Sequence, residues 1–254
     1  MRTIGVTQWV LDREGPAAVA RAAELGFGAI QLDAGRRGAH DVAEASTRRA
    51  YAAAAKAHGV TIAAIAARAV EDLGLREGLD VVRVAIDAAV ELGAPLVYVP
   101  CFVRCEIRDA DDLARAADVL RDACEHAGDA VLVGSENTLD AAGNRELLAR
   151  VSHPQLRVLV DHYNAVLWGH DPLELVDAGL PHACGQMHCK DGRDGVMGSA
   201  PLGEGDGRFA ETCKRLTETG FRGLVVCETD YRRDAERRAA HDLAALARHL
   251  DPTR

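Results

Sequence analysis

Four short stretches carry an apolar run into a group able to bind a cation: Gly134-Ser135-Glu136, Leu159-Val160-Asp161, Met187-His188-Cys189 and Val226-Cys227-Glu228. Side chains alternate along extended backbone, so the stretch Gly185-Gln186-Met187-His188-Cys189-Lys190-Asp191 points Gln186, His188 and Lys190 to one side and Met187 and Cys189 to the other. A side built from an amide, an imidazole and an ammonium is not ordinary hydrophobic packing. Glu136, Asp161 and Glu228, gathered with His188 in a half-dry place, would repel one another, and a divalent cation resolves that conflict. Three oxygens and one nitrogen form a hard donor set that suits Mn²⁺ best, accepts Mg²⁺, and admits Co²⁺, Fe²⁺ or Zn²⁺. No cysteine belongs to the set, which argues against a structural zinc. Taken singly, each acid reads equally well as a solvated strand end or a helix cap. The four together do not.

The elements that must position these groups follow from hydrophobic periodicity and turn residues. Strands are expected over 3–10, 28–33, 60–66, 96–100, 130–136, 157–161, 183–190 and 224–228, each followed by a helical stretch. Pro16 opens the first helix and Gly26 stops it, Gly59 stops the second, and Pro172 opens the sixth. A Gly/Arg turn is expected after the second strand, a short helix near 144–150, and a Gly-rich loop over 191–207. Eight such units in 254 residues fit one α/β domain spanning 1–254, a (β/α)8 TIM barrel with its chemistry at the C-terminal ends of the strands. Neighbouring strands lie about 4.8 Å apart, so the ends of strands five to eight can converge. An open doubly wound sheet is the alternative, and no Gly-x-Gly-x-x-Gly turn supports its dinucleotide-binding form.

Composition narrows the partners. A formal charge of -9 and a pI near 5.6 oppose a nucleic-acid or anionic-membrane surface, which clustered Lys and Arg would grip. Seven cysteines form an odd set without a CxxC pair, as expected of reduced thiols in the cytoplasm. The N-terminal stretch lacks a secretory pattern, and no apolar run is long enough to span a bilayer, so a cytoplasmic protein is expected.

In their order, Ser135-Glu136-Asn137, Val160-Asp161-His162-Tyr163-Asn164, Met187-His188-Cys189-Lys190-Asp191, Pro201-Leu202-Gly203-Glu204-Gly205 and Val226-Cys227-Glu228 resemble the xylose-isomerase-like sugar isomerase and epimerase superfamily. The resemblance implies a TIM barrel holding one divalent metal on Glu136, Asp161, His188 and Glu228. It implies a carbohydrate or cyclitol substrate whose carbonyl the metal polarises, with Glu136 and Glu228 as base and acid on either side of an enediolate. A homodimer or homotetramer is expected from the same resemblance. Lys190 is expected to meet a substrate oxygen or fix Glu228. Asn164 stands three residues beyond Asp161, where many epimerases of the superfamily carry His, a departure from the usual ketose 3-epimerase pattern. Trp9 and Asp33 lie near the ends of the first two strands and are expected in a substrate wall, Arg68, Arg104 and Arg108 after strands three and four could pair with an acidic substrate or be solvated surface, and Gln186 is expected in the layer below His188. His162 should face away from the metal, Asp191 should cap the loop, and residues 192–207 are expected to form a lid. The alternative activity is dehydration of an inosose or a dehydroshikimate-like acid. An apurinic-site endonuclease is disfavoured by the acidic charge and the missing early His ligands, and a non-catalytic subunit would leave the metal site unused.

Overall fold

The computed structural model describes residues 2–35 and 40–250. The Gly/Arg turn expected after the second strand reaches into 36–39 and so lies outside the described residues. In chain order the elements begin with β1 (Ile4–Thr7), α1 (Pro16–Glu24), β2 (Ala29–Asp33), α2 (Ala45–His58), β3 (Thr61–Ala66), α3 (Val70–Leu73), α4 (Leu79–Leu92) and β4 (Leu96–Pro100). They continue through α5 (Ala110–Ala127), β5 (Leu132–Glu136), α6 (Ala141–Val151), β6 (Leu156–Val158), β7 (Val160–Asp161), α7 (His162–Leu167), α8 (Pro172–Asp177) and α9 (Leu180–Cys184). The last are β8 (Gln186–Cys189), β9 (Asp191–Arg193), β10 (Val196–Ala200), α10 (Phe209–Glu218), β11 (Leu224–Cys227) and α11 (Ala235–Leu250).

The main sheet runs β6-β5-β4-β3-β2-β1-β11-β8-β7, and every pair in it is parallel. Its two outer members are successive pieces of one strand broken at Leu159, the first paired with β5 and the second with β8, so the sheet closes on itself as a TIM barrel. Helices cover the outside. Outward residues such as Val6, Ile30, Val97, Val133, Val160, Met187 and Cys227 join the helices in one large apolar cluster. The opposite parity, with Cys184 from α9, fills a much smaller cluster of Ala64, Ala66, Leu96, Tyr98 and Leu159. All seven cysteines are free and buried, behaving as small apolar side chains.

Three expectations change. Residues 183 and 184 belong to α9, and Gly185, in a left-handed conformation at φ 74°, ends that helix, so the strand starts only at Gln186. Asp140 caps α6 by accepting from Gly143 N, which starts that helix three residues earlier than the apolar spacing indicated. The Gly-rich segment is an antiparallel hairpin of β9 and β10 followed by a tight turn, rather than a structureless loop.

Candidate active site

Register brings the candidate ligands together. Asp161 lies beside His188 across β7 and β8, Val226 lies on the other side of His188, and Glu136 ends β5 beside Pro100. Glu228, two residues past Val226, is held by its backbone N–H, which donates to Cys189 O at 2.9 Å. One ligand atom from each of Glu136, Asp161, His188 and Glu228 lies within 4.8 Å of the others, and all four residues are buried. That spacing spans a divalent cation with oxygen and nitrogen ligands at about 2.0–2.4 Å.

Each group is fixed by its own surroundings. Asp161 ends β7 and caps α7: Oδ1 accepts from Tyr163 N at 2.8 Å and Asn164 N at 3.0 Å. The capping bond turns Oδ2 inward, where it is buried and accepts no hydrogen bond. Lys190 Nζ donates to Glu228 Oε2 at 2.7 Å and lies 2.9 Å from Asp161 Oδ2 as an ion pair, at an angle outside hydrogen-bond geometry. Glu228 Oε1 accepts from Trp9 Nε1 at 3.1 Å, and Glu136 Oε1 accepts from Asn164 Nδ2 at 3.3 Å.

The imidazole is set by a relay whose polarity begins at a backbone carbonyl. Ala63 O can only accept, so Gln186 Nε2 donates to it at 2.7 Å and Gln186 Oε1 is left to accept from Gln31 Nε2 at 2.9 Å. Gln31 Oε1 then accepts from Tyr98 Oη at 3.1 Å and faces His188 Nε2 at 2.7 Å. Nε2 must therefore carry the hydrogen. Nδ1 is left toward the carboxylates, 3.2 Å from Glu136 Oε1 and 3.6 Å from Glu228 Oε2. A ligating histidine whose other nitrogen donates to a fixed acceptor is the usual supporting arrangement for a metal.

The electrostatics fit a cation. Burial opposes an imidazolium, but Glu228, Glu136 and the Glu136 hydrogen bond outweigh it and push His188 up to about 9. Burial also raises Glu136 above the ordinary carboxylate range, against the pull of His188. Burial opposes the Asp161 carboxylate as well, yet Lys190, His162 and His188 together hold its pKa down. Lys190 is held charged by Asp161, Glu228 and Glu136 despite its burial. Three carboxylates and one ammonium leave two negative charges, which a dication beside a neutral imidazole would cancel. With an inward carboxylate oxygen lacking a donor and a hard donor set, the residues fit a divalent metal.

A cavity of about 440 Å³ opens above this cluster. Trp9, Arg68, Asn164, Lys190, Glu136 and Glu228 line it, so six of the residues singled out in the sequence meet there. Asp33 does not line it and stands behind Arg68, accepting from Nη1 at 3.2 Å. Gln186 does not line it either and belongs to the relay below His188. Among the residues that sequence reasoning passed over are Glu71, Tyr98, Phe102, Glu106 and Met197 in the lining, and Gln31 beneath. Gln31 had a signal, a polar residue inside the apolar run Ala29-Ile30-Gln31-Leu32 on the same side as Asp33. Glu71 and Glu106 had none, because they sit on α3 and on an irregular extended segment whose approach to the mouth depends on tertiary packing. His162 is buried beside Phe209 and within the field of Asp161 and Asp191, its ring nitrogens without a side-chain partner, and it takes no part in the ligand cluster. Arg104 and Arg108 turn away, to Asp72 O and Asp112.

A family model described as a xylose isomerase-like TIM barrel matches residues 19–249. The chain belongs to this family. It is 37% identical to 2-epi-5-epi-valiolone 7-phosphate 2-epimerase of Actinoplanes sp. over 237 residues, 90% of this chain and 87% of that protein. It is 25% identical to an L-ribulose-5-phosphate 3-epimerase of Escherichia coli over 62% of this chain and 58% of that one. Among solved structures, a xylose isomerase domain protein from Planctomyces limnophilus superposes with a TM-score of 0.76 at 19% identity, covering 99% of this chain and 98% of that one. The family is one of enzymes, and these curated relatives are epimerases. No helix among the described residues is long and apolar enough to cross a membrane.

Proposed function

We propose that the protein is a divalent-metal-dependent epimerase of a keto-cyclitol or ketose, acting as a single barrel domain with Glu136 and Glu228 as its proton-transfer pair. The observation that carries this reading is that two carboxylates flank one cavity while sharing a candidate metal centre with Asp161 and His188. The cation, with Mn²⁺ the first choice, would be held by Glu136, Asp161, His188 Nδ1 and Glu228, and when bound it polarises the substrate carbonyl so that the neighbouring C–H becomes acidic. Glu136 and Glu228 approach from different strands. One takes the proton from one face of the carbon and the other returns it to the opposite face, which inverts that centre. Asn164, donating to Glu136, and Trp9, donating to Glu228, orient the two carboxylates separately. Lys190, donating to Glu228 Oε2, holds that carboxylate in place. The epimerase relative, with most of both chains aligned, supports inversion over other outcomes of the same proton abstraction.

The test is incubation of the Mn²⁺-loaded protein with a panel of keto-cyclitols and ketoses in heavy water, read by NMR and mass. Epimerisation incorporates one deuterium next to the carbonyl and leaves the mass otherwise unchanged. Loss of water would instead identify a dehydratase, and an absence of exchange across the panel would remove the reading.

A further inference from the structure

We propose that this cavity selects an uncharged polyhydroxy ketone and discriminates against its phosphate monoester; the inference rests on the epimerase reading and names its substrate class. The charged groups lining the cavity are two cations, Arg68 and Lys190, and four carboxylates, Glu71, Glu106, Glu136 and Glu228. Lys190 is committed to Asp161 and Glu228. The Arg68 guanidinium lies over the Trp9 ring at 4.7 Å, with Nη1 3.2 Å from Asp33 Oδ2 and Nε 4.0 Å from Glu71 Oε2. A dication on the floor would offset the acids there, and Glu71 and Glu106 would still face the mouth. A phosphate dianion entering past them meets more negative charge than positive.

A second observation is independent of that count. In barrels of this kind phosphate is commonly held by backbone N–H groups of the loops after the last strands. The Gly-rich turn after β8 supplies such donors, but they are occupied. Gly192, Gly203, Gly205 and Gly207 all donate their N–H to the Asp191 carboxylate, at 3.0, 3.0, 3.1 and 2.9 Å. Asp191 is fully buried, and a Cβ on Gly205 would collide with Asp191 Oδ1 and Gly192 O. The chain's own carboxylate fills the cradle that an anionic ligand would need.

The remaining lining matches hydroxyls and C–H faces. Trp9, Tyr98, Phe102 and Trp168 offer aromatic surface to a ring. Arg68 and Glu71, three residues apart, place a donor beside an acceptor, the pattern that pairs with vicinal hydroxyls. Asn164 Oδ1 is buried in the lining with no donor, and a substrate O–H would satisfy it. The Actinoplanes relative is named for a 7-phosphate substrate, so the proposal places a change of specificity within the family.

The chain's two tryptophans, Trp9 and Trp168, both line the cavity, so their fluorescence reports occupancy without turnover. Mn²⁺-loaded protein is titrated with 2-keto-myo-inositol, D-fructose and D-fructose 6-phosphate, and deuterium exchange is followed in parallel. Free ligands are expected to bind at least about tenfold more tightly than the phosphate ester. In the double variant Glu71→Gln/Glu106→Gln the difference should shrink, through tighter binding of the ester. Tighter binding of the ester by the unaltered protein, or a difference unchanged in the double variant, overturns the proposal while exchange still upholds the epimerase reading. Exchange and binding absent with every ligand would overturn both.

Discussion

The two halves of the barrel do different work. The later strands, β5, β7, β8 and β11, end in the four candidate ligands, and with Lys190 they carry nearly all the charge of the floor. The earlier strands, β1 to β4, contribute no ligand. They supply the groups that fix the ligands: Gln31 and Tyr98 for His188, Trp9 for Glu228, and Ala63 O as the fixed start of the relay. The candidate ligands thus sit in one half only, while the groups that orient them come from both, since Asn164 holds Glu136 and Gln186 carries the relay from the later half; the early loops can vary with substrate while the four ligand positions stay in place.

That division can be broken from either side. The largest effect is expected in the later half: Glu136→Gln or Glu228→Gln should lower deuterium exchange by about 10³-fold, within the range for loss of a positioned acid or base. Unchanged exchange in both would remove their assigned roles. In the earlier half, Gln31→Met leaves His188 Nε2–H and Tyr98 O–H without their shared acceptor. Mn²⁺ affinity measured by titration calorimetry should fall by about 10–100-fold. An affinity within twofold of the parent would mean that the relay does not orient the imidazole. Trp9→Phe keeps an aromatic wall and deletes one hydrogen bond to Glu228, so kcat should drop by about tenfold or less with the far-ultraviolet spectrum unchanged. The smallest effect on catalysis belongs to Asp191→Asn. It disturbs four N–H donors, those of Gly192 and Gly207 buried, and should cost about 2–3 kcal/mol of stability, seen as a lower thermal midpoint. Loss of metal binding at unaltered stability would instead make Asp191 part of the centre.

The same division explains what the sequence reveals. Glu136, Asp161, His188 and Glu228 stand out because a charged or ligating group closing an apolar strand breaks the local pattern. The eight-unit alternation is legible for a similar reason, since turns and proline positions are local signals. The start of α9 at Leu180 is not legible, because Ala183 and Cys184 fit a buried strand and a short helix equally well until Gly185 ends the helix. For Asp33 and Gln186, strand position alone does not give depth, which decides between lining and support. Asp33 is held behind Arg68, and Gln186 lies one layer beneath His188. Glu71 and Glu106 reach the mouth only through packing of distant segments, which no local pattern encodes.

Equilibrium dialysis of Mn²⁺ against the parent protein, His188→Ala and Asp161→Ala tests the shared centre most directly. The parent should hold one ion per chain, and each variant should bind it more than about 100-fold more weakly while keeping its folded spectrum. Undiminished binding in either folded variant would contradict a centre built from these four side chains.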